Sequence, residues 1–154
     1  TYITHRVTPF FKNARKEITK SPIIYFSDLG LRNYANGTFG GLSDPQNLGF
    51  LFQNFIANTI KGSINQTSKD LHFWRTKDKA EVDFILENGE DDALPIEVKF
   101  QTLKTPEVSR SLHNYISKYN PKEAKIIHLG SEITLKVENT IVKMVPFFEN
   151  LTLS

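Results

Sequence analysis

Phe73-Trp-Arg-Thr-Lys-Asp-Lys-Ala-Glu-Val-Asp-Phe84, followed by Pro95-Ile-Glu-Val-Lys99, is the stretch on which the fold turns. It holds two β-prone runs, 71–76 and 81–87, and leads into a third at 94–100. Alternate residues of a strand share a face. Glu81 and Asp83 are thus expected to point one way, with Val82 and Phe84 opposite. Glu97 and Lys99 share a face of the third run, and Ile96, Val98 and Phe100 share the other. Asn88-Gly89 with Glu90-Asp-Asp92 supplies the turn between the last two runs. Antiparallel pairing across that turn brings Asp83, Glu97 and Lys99 to one side.

Carboxylates held a few ångströms apart repel unless a cation neutralises them. A hard divalent ion such as Mg²⁺ or Mn²⁺ suits Asp83 and Glu97, with Glu81 as a further ligand, completed by waters and a substrate phosphate. Such an ion polarises a scissile phosphate and lowers the pKa of a bound water. Lys99 is placed to steady the developing charge. Spacing alone also allows a plainer account, a solvated strand face with a cross-strand ion pair.

Working outward, residues 46–61 carry a clear helical period: Leu48, Leu51, Phe52, Phe55, Ile56 and Ile60 form one stripe, with Gln53 at its margin. A second helix is expected over 106–119, with Thr105 as N-cap, Pro106 in the first turn and Pro121 as its end. Residues 23–27 read as a short strand, and Asp28 caps a short helix after it. Runs 124–129 and 140–148 read as further strands. Helix, three strands, helix and strand in that order imply an α/β fold with a mixed sheet flanked by helices. Residues 1–22 are mixed and basic and read as a connecting segment from an upstream region, leaving 23–154 as the domain.

The chain has 154 residues, enough for one domain with a real core. It has no cysteine, which excludes disulfides and thiolate zinc sites and suits a reducing, cytoplasmic setting. No apolar run is long enough to span a membrane. The start, Thr1-Tyr-Ile-Thr-His, lacks an initiator Met and reads as a piece of a longer protein. A net charge of +2 permits contact with nucleic acid without arguing for it. Arg75, Lys77 and Lys104 are the candidate contacts with DNA phosphates. A strand aromatic such as Trp74 is more often core, Arg32 more often in a surface ion pair, and the four histidines have no metal-like spacing.

Asp83, then Glu97-Val-Lys99 fourteen residues on, resembles the D…(D/E)-X-K core of the PD-(D/E)XK nuclease superfamily. The surrounding segments, with Ile24-Tyr-Phe-Ser-Asp-Leu-Gly-Leu-Arg32 and Gly49-Phe-Leu-Phe-Gln-Asn-Phe55, look like one group within it. That group is the C-terminal domain of unknown function carried by many archaeal and bacterial AAA-type ATPases. The resemblance implies an ATPase module and a winged-helix region upstream on the same polypeptide, DNA as a partner, and Asp83, Glu97 and Lys99 as catalytic residues of a metal-dependent endodeoxyribonuclease. It also implies a glutamate on the first core helix, where this chain has Gln53. An amide brings no charge, so the sequence equally describes a catalytically inactive nuclease-fold module that binds DNA or protein. No Gly-x-x-x-x-Gly-Lys phosphate loop occurs in the chain.

Overall fold

The computed structural model describes residues 2–11, 21–38, 43–89 and 92–149. Among these described residues eight strands and three helices follow in the order β1 (Thr4–Pro9), β2 (Ile23–Phe26), α1 (Leu29–Ala35), α2 (Pro45–Ile64), β3 (Asp70–Arg75), β4 (Glu81–Glu87), β5 (Ala93–Val98), α3 (Arg110–Tyr119), β6 (Glu123–His128), β7 (Ile133–Val137) and β8 (Thr140–Pro146). All the strands join one mixed sheet, ordered β2-β1-β3-β4-β5-β6-β8-β7. β3, β4 and β5 form an antiparallel meander, and α3 then crosses over so that β6 lies parallel to β5. The expected mixed sheet with flanking helices is what the chain forms.

Each face of the sheet carries its own core, as strand alternation requires. Phe52, Ile56, Ala57 and Ile60 of α2 pack on Leu71, Phe73, Phe84, Ile96 and Ile127. On the other face Leu112, Tyr115 and Ile116 of α3 pack on Trp74, Val82, Ile85, Ala124 and Ile126. Neighbours in sequence, Phe73 and Trp74 or Ile126 and Ile127, thus serve opposite cores. The single Trp is core, with its Nε1 donating to the Tyr119 hydroxyl at 3.3 Å.

β4 breaks the alternation at the place that matters. His72 pairs with Ile85 and Trp74 with Val82, so β4 runs three residues where β3 runs two. The extra residue is a β-bulge, which bends a strand and re-aims its side chains. It puts Phe84 in the α2 core while Val82 and Ile85 both serve the α3 core. The expectation that Val82 and Phe84 share a face is corrected accordingly, because a period of two survives only in an unbulged strand.

Other boundaries shift for local reasons. The second helix begins at Arg110, with Ser109 rather than Thr105 as its N-cap and Pro106 outside it; the Ser109 hydroxyl accepts from the Leu112 N–H at 3.1 Å. Asn120, in the left-handed region at φ 48°, closes the helix before Pro121. The connecting segment expected over 1–22 is corrected in its first part. Residues 4–9 are β1, paired antiparallel to β2 and parallel to β3, with Val7 fully buried; residues 12–20 lie outside the described ones. Asp28 caps α1 as expected, accepting from the Leu31 N–H at 2.8 Å.

α2 and β2 are locked together by a buried amide. Asn54, 3 % exposed, accepts from the Phe26 N–H at 3.1 Å and donates to the Phe26 carbonyl at 2.7 Å, as a neighbouring strand would. This fixes Tyr25 of β2 beside Gln53 of α2. Asn54→Ala leaves the Phe26 N–H without its acceptor, and is expected to lower unfolding free energy by about 2–3 kcal/mol in urea denaturation.

Candidate functional site

The ladder between β4 and β5 ends at the pair Phe84 and Ile96. One residue further, the backbone is replaced as acceptor by a side chain: Asp83 Oδ2 accepts from the Val98 N–H at 2.8 Å. The other oxygen, Oδ1, accepts from Gln53 Nε2 at 3.1 Å, and the same amide reaches the Tyr25 hydroxyl at 3.1 Å. Asp83 therefore sits in the opening between two strands, bound to α2 through the residue that stands where the resemblance expects a glutamate. When Asp83 is ionised only the amide's NH₂ end can donate to it, the orientation Gln53 has here.

Glu97 and Lys99 come together, but on a different set of contacts. Glu97 Oε2 accepts from the Ser109 hydroxyl at 2.7 Å, and Oε1 lies 3.7 Å from Lys99 Nζ. Both side chains are largely buried, at 13 % and 16 % exposure. Glu81 is held elsewhere: it receives Arg75 through two bonds of 2.8 and 2.9 Å, a bidentate pair at the cavity that Gln53 also lines. Lys77 and Lys104 are exposed, and Lys104 lines a separate groove with Leu129 and Pro146. Arg75, the third candidate contact with DNA, lines the cavity with Gln53.

Burial, more than any neighbour, pushes the Asp83 carboxyl up to about 7. The Glu97 and Glu81 carboxylates push the same way, while the Val98 N–H and Lys99 pull it back. Tyr25 is likewise raised by burial, then by Asp83 and Glu81, and so keeps its proton. Each of the four oxygens on Asp83 and Glu97 faces an N–H, O–H or ammonium of the protein.

Sequence reasoning missed Tyr25 and Ser109. Tyr25 lay inside an apolar run that reads only as strand, and Ser109 was overshadowed by the Thr105-Pro106 pair. Of the histidines, His72 is buried between Thr8 Oγ1 at 2.9 Å and Glu87 at 3.2 Å. His128, fully buried, takes the Leu103 and Gly130 N–H groups on Nδ1.

The raised Asp83 carboxyl carries a pH signature. Between about pH 4 and about pH 7 the folded chain holds a proton that the unfolded chain has released, so this contribution to stability is full at low pH and is lost as pH rises through about 7. Asp83→Asn removes that decline. Between about pH 4 and about pH 8 the stability of the variant relative to the native protein is expected to rise by a few kcal/mol, at most about 4, read by urea unfolding across the pH range.

Comparison with known proteins places this arrangement in a family. Residues 48–148, from α2 to just past β8, match the model described as domain of unknown function DUF4143. Uncharacterized protein Mb2031c of Mycobacterium bovis and uncharacterized protein Rv2008c of Mycobacterium tuberculosis are each 27 % identical over 142 residues, or 91 % of this chain and 31 % of the relative. The chain thus spans about a third of the length of these curated relatives. A chain from the tetradecameric assembly of Thermococcus gammatolerans McrB AAA+ hexamers with bound McrC shares the fold at a TM-score of 0.50 and 15 % identity, over 64 % of this chain and 27 % of that one. The family match covers more than half of the sequence and contains Gln53, Asp83, Glu97, Lys99 and Ser109, and the chain belongs to the DUF4143 family.

Proposed function

We propose that this domain is a PD-(D/E)XK-type module that recognises DNA or a protein partner without cutting, in the service of an AAA-type ATPase on the same polypeptide. The single observation that carries the reading is the Gln53–Asp83 bond. A glutamate at that position would face Asp83 with like charge and call for a cation between them. The amide supplies an N–H instead, so the carboxylate is satisfied by protein alone. Glu97, drawn to Ser109 and Lys99, is satisfied in the same way.

The nuclease descent rests on the run α2, β3, β4, β5, α3, β6, the helix, three strands, helix and strand of the superfamily core, with Asp83 and Glu97-Val-Lys99 at the ends of the paired strands. The ATPase context rests on the sequence resemblance and on the shared fold with a chain of an AAA+ assembly. The greater length of the mycobacterial relatives leaves room for such a module. If a divalent ion were bound, it would supply the Lewis acidity for phosphodiester hydrolysis. The residues of this chain, as arranged, do the opposite work: they hold Asp83 half-buried, near neutral charge and hydrogen-bonded.

Supercoiled, branched and single-stranded DNA incubated with Mn²⁺ should show no cleavage by the native domain beyond that of Asp83→Ala. Cleavage that disappears in Asp83→Ala overturns the reading. Gln53→Glu provides the complementary test: it should lose thermal stability at neutral pH without metal and regain it with Mn²⁺, whereas the native melting temperature should be insensitive to the ion. Gel-shift titrations at rising salt then separate the partners, since DNA held through phosphates loses affinity steeply with salt.

A further inference from the structure

Beside the Asp83 cluster, β2, α1 and α2 enclose an open cavity of about 370 Å³, within the range of small-molecule sites. Its wall includes Arg32, a cation only 9 % exposed. A buried guanidinium is costly without a counter-charge. Arg32 has none: among the described residues no carboxylate pairs with it. Its Nη1 donates to two neutral amide oxygens, Asn33 Oδ1 at 2.9 Å and Asn47 Oδ1 at 3.1 Å. Those bonds tie α1 to the first turn of α2 and account for one edge of the guanidinium. The edge formed by Nε and Nη2 takes no acceptor among the described residues, and the side chain lines the cavity. Among the described residues the expected surface ion pair is therefore absent, and the forked donor geometry that matches an oxyanion has one edge open.

The rest of the cavity narrows the class of anion. A second guanidinium, Arg75, lines it, with Glu81 held against it in the bidentate pair. Arg32 is the guanidinium of this wall that no carboxylate among the described residues pairs with. At the rim stand Ile24 and Phe50, large apolar side chains that are 49 % and 54 % exposed, with Phe26 behind them. An anionic head against Arg32 would thus lie within one cavity of an aromatic, apolar platform. Phosphate on a planar base has this division of character, and bases stack on aromatic side chains without regard to sequence.

We propose that this cavity is a binding site for a nucleoside monophosphate, its phosphate held by the open edge of Arg32 and its base laid against Phe50 and Ile24. The site is built from β2, α1 and the first half of α2, with Arg75 and Glu81 in its wall; Arg32 and Phe50, which hold the ligand, lie outside the Asp83–Glu97 pair, and the proposal stands whether or not that pair hydrolyses anything.

Calorimetric titration of the chain with AMP, adenosine and inorganic phosphate tests it. AMP should bind at least about tenfold more tightly than either fragment, because only AMP engages both halves of the cavity. Arg32→Gln should reduce AMP affinity at least about tenfold, to the level of adenosine, and Phe50→Ala should reduce it toward the level of inorganic phosphate. AMP binding no tighter than that of inorganic phosphate overturns the proposal, as does AMP affinity unchanged in a folded Arg32→Gln. Should Arg32→Gln fail to fold, Phe50→Ala decides, since that ring is largely in solvent: undiminished AMP affinity in it refutes the site.

Discussion

Between Val82 and Ile85 the fourth strand advances three residues while its neighbour advances two, and a regular pleat has no place for the extra one. The excess is taken up at Asp83 and Phe84. Phe84 turns into the α2 core, and Asp83 reaches across the end of the β4–β5 ladder to take a backbone N–H that no strand carbonyl receives. Everything distinctive about the site follows. The carboxylate is drawn in among protein groups, which raises its proton affinity, and it comes within reach of α2, whose Gln53 meets it. Val82 and Ile85 can then both serve the α3 core, which seats the helix whose N-cap, Ser109, holds Glu97.

The sequence made the broad plan legible where structure is local. The α2 stripe, the limits of β4, the Asp28 cap and the strand–turn–strand unit around Gly89 all rest on periodicity or turn chemistry within a few residues. What it hid depends on distant partners. β1 is recognisable only through β2 and β3, the latter more than sixty residues away, and nothing in Thr4–Pro9 announces that pairing. β7 is short and lies at the edge, with partners that become visible only once β8 is placed. The bulge is invisible for a related reason: Glu81–Glu87 alternates acceptably as a flat strand, and only the register against β3 reveals the extra residue. The start of α3 shows competition between two adequate caps, won by the serine that also satisfies Glu97.

Charge placement tells a consistent story. Arg75 is paired with Glu81, and Lys99 lies beside Glu97. Asp83, with no basic partner at contact distance among the described residues, is settled by two N–H donors and by its own readiness to stay protonated. Arg32, which no carboxylate among the described residues pairs with, lines the cavity together with Gln53. Positive charge around the site is thus spent mostly inward, on Glu81 and Glu97 and on the amides that hold Arg32.

The amides that anchor β2 have an effect beyond holding Tyr25 in place. β2 lies at the margin of the sheet, where unpaired peptide groups invite strands from other chains. Asn54 occupies both the N–H and the carbonyl of Phe26, and Asn58 adds bonds to the carbonyls of Phe26 and Ser27. Helix side chains therefore fill the hydrogen-bonding positions that an incoming strand would use at that end. The same contacts that fix β2 to α2 guard the sheet's border against aggregation.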